Sequence, residues 1–250
     1  MVSFQNSATV PLQVVGVSTS PVYEVYIYYQ LHCVVKRNRV TFAIVIAGYS
    51  PQPATTQPTY GRFAHPFLGN ITATVEILPD DPDGQVSATI ARMRDYILQD
   101  AQSPAIRNLS MQLARNARGS ETRYIGCVWE LVSKLIVFRS DEKTAADAGV
   151  DFGGDVVEVL IRPVDIIAAD YKVGDCDDFT MLAACLLVCA GVKVQAVTIA
   201  AEADAPNTFS HVYLAAYPKV GGRTPLDCSH GKRAGWESPR IYRIQEWEIN

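Results

Sequence analysis

The run "MLAACLLVCAGV", residues 181–192, constrains the fold of this chain more than any other stretch. It has no charged residue and no polar face. A bilayer span needs roughly 20 such residues, so the run reads as a helix buried inside a globular domain. Immediately before it stands "KVGDCDDFT", in which a polar loop becomes the helix at a cysteine wedged among three aspartates. Asp175 is placed to cap the helix, with Asp178 three positions on completing an acidic capping box. Cys176 then occupies the first turn. There, unpaired backbone N–H groups and the helix dipole favour a thiolate and could hold a developing oxyanion. The flanking aspartates oppose this, because nearby negative charge raises a thiol pKa. A basic partner is therefore required.

The strands that follow supply one. In "TFSHVYLAAYP", alternation puts His211 and Tyr213 on one face and Val212 and Leu214 on the other. A strand packed on the buried helix can present His211 to Cys176. In "TPLDCSHG", Asp227 follows on a second strand, and a hairpin would bring it beside His211 to fix the imidazole tautomer. Cys176, His211 and Asp227 thus read as nucleophile, base and orienting acid. Each has a plainer reading alone: a capping-region cysteine, a strand-end histidine, a turn aspartate. His230 is a second candidate for the base. The same region also offers metal-ligand types in Cys176, Asp177, His211, Asp227, Cys228 and His230. Alternation along "LDCSH" argues against a shared ion, since it sends Asp227 and Cys228 to opposite faces, and no pair has zinc-finger spacing. No cofactor is expected.

The remainder of the chain divides at "DDPDGQ", residues 80–85. Residues 1–80 read as β-rich. "VYEVYIYYQLHCVV" and "VTFAIVIAGYS" flank the turn "KRN", and "ITATVEILP" follows a loop at residues 51–63 rich in Pro and Thr. That loop is long enough to reach a neighbour or cover a cleft. Beyond the boundary, helices are expected in "SATIARMRDYILQDA", with Ser87 as N-cap and Ile90, Met93 and Ile97 on one face. Further helices fall in "PAIRNLSMQLARNA" and "ETRYIGCVWELVSKLIVFRS". A short strand in "DVVEVLIRP" leads to the cysteine. The strand "KVQAVTIA" precedes "HVYLAAY", and "AGWESPRIYRIQEWEI" reads as a polar tail. The order of elements predicts an α+β fold, with a buried helix against an antiparallel sheet.

Charge and leader patterns narrow the function classes. A formal net charge of −4 with no Lys/Arg run longer than two gives no basis for nucleic-acid binding. The N-terminus has neither a basic segment nor an apolar core, so no secretory signal and no membrane span are expected. The six cysteines form no CxxC pair. Cys33, Cys127, Cys185 and Cys189 read as small apolar fillers in a reducing compartment.

"GDCDDFTMLAACLLVCAGVKVQAVTI", followed by "FSHVYLAAY" and "PLDCSH", resembles the transglutaminase-like superfamily of papain-like cysteine folds. With the helices before the cysteine and the tail, the resemblance spans residues 85–250 and is similar to transglutaminase-like proteins of bacteriophages and prophages. It implies a papain-like domain at 85–250; the β-rich domain expected at 1–80, for binding or assembly, lies outside the resemblance. It also implies a Cys176–His211–Asp227 triad acting on a protein or peptide amide through a thioester. Hydrolysis and transamidation both remain open. The superfamily adds an upstream side chain to the oxyanion hole; Tyr171 is the one guess, with no motif match. Phage structural proteins are implied partners, and the bacterial cytoplasm or the virion the implied location. The competing expectation is a virion structural protein that retains the fold around an idle site.

Overall fold

The computed structural model describes the backbone at residues 30–36, 39–45, 59–65 and 69–75. It describes backbone and side chains at 78–79, 81–147 (the side chain of Ala145 apart) and 158–250. These residues form an α+β structure of helices and mostly antiparallel strands. Cys33 is described only as backbone. The Gly/Asp-rich loop and residues 155–157 of the expected strand "DVVEVLIRP" lie outside the described residues, as do residues 51–58 of the Pro/Thr-rich loop.

In the N-terminal part, β1 (Gln30–Lys36) pairs with β2 (Arg39–Val45), and β3 (Thr59–His65) with β4 (Gly69–Val75), each antiparallel. The expected loop at 51–63 is thus shorter than read, because its last five residues belong to β3. Thr59, Tyr60 and Phe63 are good strand formers that the neighbouring prolines mask in a composition reading.

A helix begins within "DDPDGQ", five residues ahead of the expected N-cap Ser87. Asp81 Oδ1 accepts from Gly84 N–H at 2.6 Å, Pro82 takes the first helical position, and α1 runs Pro82–Asp100. Ser87 therefore sits inside the helix and caps nothing. Proline and aspartate signal a turn and a helix start with the same letters. Ser103 and Ser120 cap α2 (Pro104–Ala117) and α3 (Glu121–Leu135) through their hydroxyls. After a two-residue β5 (Val137–Phe138) come α4 (Asp141–Asp147), α5 (Pro163–Ala168) and β6 (Val173–Gly174), which pairs parallel to β5.

The apolar run forms α6 (Cys176–Cys189), and every residue from Asp177 to Leu187 is buried. Helices α1, α2 and α3 contact it, as do β7 (Lys193–Ala200) and β8 (His211–Tyr217). Burying a leucine or isoleucine side chain contributes roughly 1.5–3 kcal/mol, so this enclosed helix organises the core. The sheet is antiparallel, with order β10-β7-β8-β9. Strand β9 is Thr224–Leu226, and β10 (Arg243–Glu248) comes from the segment expected to be a polar tail. It is an edge strand in which half-buried and exposed residues alternate, so it lacks an apolar run. Arg243 fixes its start with two 2.8 Å bonds to the Asp83 carboxylate at the head of α1.

Residues 158–162 form no strand. Their backbone donors go to side chains instead: Val159 N–H to Asp141 Oδ2 at 2.7 Å, and Ile161 N–H to Asp178 Oδ1 at 2.6 Å. The β-branched sequence predicted a strand, but two buried carboxylates take the place of a partner strand. Of the cysteines expected as fillers, Cys185 is buried and donates to Ile97 O at 3.3 Å, while Cys127 and Cys189 pack partly buried against the core. No described helix is long and apolar enough to cross a membrane.

Candidate functional site

Cys176 is the first residue of α6, directly after the N-cap Asp175. The Asp175 N–H donates to Asp178 Oδ2 at 3.3 Å, the return arm of the capping box. This fold-back needs Gly174, since a Cβ there would stand 2.5 Å from Asp178 Oδ2. One turn further along, Thr180 Oγ donates to Val212 O at 3.2 Å and pins α6 to β8. Residues i and i+4 share a helix face, so Cys176 lies on the face of α6 that meets β8, with its sulfur near the Val212 N–H. The thiol is half-buried, beside the strand residue that follows His211.

His211 begins β8, opposite Ile199 of β7. Leu226 of β9 pairs with Leu214 and lies in the core on the α6 side. The next residue, Asp227, follows the end of β9 and is buried. His211 Nε2 and Asp227 Oδ2 are 2.9 Å apart, with both side chains largely buried. Asp227 Oδ1 accepts from Ser229 N–H, Ser229 Oγ–H and His230 N–H at 3.1, 3.1 and 2.8 Å. Burial works to raise the Asp227 pKa, but the bond and charge of His211 and the other donors outweigh it and hold it below the usual carboxylate value. An ionised Asp227 only accepts, so His211 Nε2 carries the hydrogen of this contact and Nδ1 takes no part in it. Trp129 Nε1 donates to Asp227 O at 2.8 Å and anchors the backbone of this turn from α3. A Cβ at Gly231 would overlap the same carbonyl, which explains the glycine in "DCSHG".

The structure thus joins His211 to Asp227 directly and brings Cys176 to the neighbouring Val212. His230 is exposed, bonds Ser229 Oγ through Nδ1 at 3.0 Å, and sets its ring edge-on to those of His211 and Phe138. Burial of part of the ring and the nearby His211 hold its pKa below the ordinary histidine value. Tyr171 is 47% exposed, ahead of β6. The six candidate metal ligands divide among separate places. His211, Asp227 and His230 have ligand atoms within 4.8 Å of one another, Cys228 turns into the core, and Asp177 joins a different group.

That other group is acidic. Asp141, Glu158, Asp175, Asp177 and Asp178 converge at the start of α6. Burial, then the charge of Asp175, pushes Glu158 up to about 7 and lifts Asp141 and Asp177 well above the usual carboxylate range. Asp178 is raised for the same two reasons, and Asp175 by burial. The Cys176 thiol also rises well above its ordinary value, first from burial and then from Asp175, with the Val212 N–H pulling the other way. Asp141, Glu158 and Trp129 are distant in the chain from Cys176, and Thr180 leads into the apolar run of α6, so none carries a sequence signal for its role here. Comparison of the chain with protein-family models, curated proteins and solved structures gives no match, so the reading of the site rests on its own geometry.

Proposed function

We propose that this chain is a cysteine-dependent enzyme that attacks a carboxamide or peptide carbonyl through Cys176. The observation that carries the reading is the His211–Asp227 pair, 2.9 Å apart, at the end of the strand against which the Cys176 thiol packs. The Cys176 sulfur bonds to the acyl carbon as its proton passes to His211 Nδ1, the ring nitrogen left free by Asp227. The C–N bond then breaks, and the amine leaves with that proton as a thioester remains. Backbone N–H groups in the first turn of α6 face the developing oxyanion. Water converts the thioester to an acid; an amine converts it to a new amide. The raised thiol pKa supports a protonated resting thiol, with the proton leaving during attack rather than before it. The same raised pKa is what an idle site in a structural protein would have, so activity decides between the two readings.

The test incubates the full chain with glutamine- and asparagine-containing peptides and hydroxylamine, reading hydroxamate, released ammonia and peptide cleavage. Wild type is expected to give product that Cys176→Ala abolishes and His211→Ala reduces about 100-fold or more. Product formation equal in wild type and Cys176→Ala would overturn the proposal.

A further inference from the structure

We propose that Asp141, Glu158, Asp175 and Asp177 form a binding site for a hard divalent cation, calcium in preference to magnesium. One carboxylate oxygen from each of Asp141, Glu158 and Asp177 lies within 4.8 Å of the others, and Asp175, Asp177 and Asp178 meet the same limit. Ligands 2.3–2.6 Å from a shared calcium ion stand at most about 5 Å apart, so the spacing suits a single ion. The second observation is independent of this proximity. Asp177 is only 1% exposed, and both its oxygens are buried without a hydrogen-bond partner. Asp175 Oδ1 is buried and unpartnered too.

Asp178 is excluded, because the Ile161 and Asp175 N–H groups already occupy its two oxygens. Asp141 has given Oδ2 to Val159 and keeps Oδ1. Asp177 Oδ1 and Oδ2, Asp175 Oδ1, Asp141 Oδ1 and the Glu158 carboxylate remain as donors. Five oxygens from four residues leave room for water in the six to eight positions that calcium takes. A proton shared between two carboxylates satisfies one oxygen of each, whereas one cation satisfies the three orphaned oxygens together. An all-oxygen donor set selects hard cations over zinc or copper. Donors from α4, the 158–162 segment and the α6 cap do not impose the tight octahedron that magnesium demands.

The site is separate from the catalytic proposal, since none of its donors is Cys176, His211 or Asp227. The test uses the full-length protein freed of metal by a chelator and titrated with calcium in a calorimeter. One ion should bind per chain, more tightly than about 1 mM, the weak limit for such sites. Asp177→Asn should weaken binding at least about 10-fold, Glu158→Gln should weaken it measurably, and Cys176→Ala should bind like wild type. Calcium should also raise the melting temperature of wild type but not of Asp177→Asn, with circular dichroism showing each variant folded. If Asp177→Asn fails to fold, Glu158→Gln, whose side chain is only half-buried, carries the comparison. Absence of binding by folded wild type at 1 mM calcium, or unchanged binding in the folded variants, would overturn the proposal.

Discussion

Asp227 and Asp177 lie on the two sides of the candidate site, equally buried and oppositely provided for. Asp227 receives four hydrogen bonds, from His211, Ser229 (twice) and His230. Asp177 receives none from an N–H or hydroxyl group at either oxygen, and its polar neighbours are the carboxyl groups of Asp175 and Glu158. One is held ionised and the other is pushed towards its neutral form. Burial is common to both, so the donors decide the state. The consequence for chemistry follows directly: the carboxylate rich in donors can orient a base, and the carboxylate without them needs a proton or a cation.

The largest break in this comparison is Asp227→Asn. The amide fits the same space, but whichever of its ends faces His211 no longer fixes the ring as a carboxylate does. Turnover is expected to fall about 100-fold or more, while Cys176 stays in place and circular dichroism is unchanged. Retention of wild-type turnover would show that Asp227 is a turn residue only.

A smaller effect sharpens the contrast in stability. The folded-state pKa of Asp227 lies below its unfolded value of 3.8, so it stabilises the fold above that pH and the stabilisation is lost as pH falls through the folded value. Asp177 has the opposite sign. Its folded pKa is raised, so its contribution is fully present below about pH 4 and is lost as pH rises through the folded value. In the presence of a chelator, Asp177→Asn should therefore be more stable than wild type at pH 8 by about 1 kcal/mol, with the difference shrinking towards pH 4. Urea unfolding across this range reads it directly. A variant less stable than wild type at pH 8 would mean that Asp177 has a partner after all.

How much was legible in the sequence differs between these two sides. Cys176, His211 and Asp227 stand at local landmarks, namely a helix cap, a strand head and the end of a second strand, so pattern alone singled them out. The acidic group has no such landmark. Asp141 opens a short helix and Glu158 sits in a β-branched run that read as a strand, and only tertiary folding brings them to the cap of α6. The same cause explains why residues 158–162 form no strand, because side-chain acceptors at Asp141 and Asp178 replace a strand partner. Edge strand β10 reads as a tail since only alternate residues are covered, and the helix start reads as Ser87 rather than Pro82 since Asp-Pro-Asp-Gly also signals a turn.

The central claim is that His211 activates the Cys176 thiol, and the most direct measurement is iodoacetamide alkylation from pH 5 to 9, read peptide by peptide in wild type and His211→Ala. Cys127 and Cys189, also partly exposed, provide the internal reference. The account predicts that Cys176 is labelled faster than both at pH 7.5, although burial and Asp175 raise its pKa, and that His211→Ala slows it about 10-fold or more while leaving the reference cysteines unchanged. A Cys176 rate no higher than that of Cys127 and Cys189, and indifferent to His211→Ala, would contradict it.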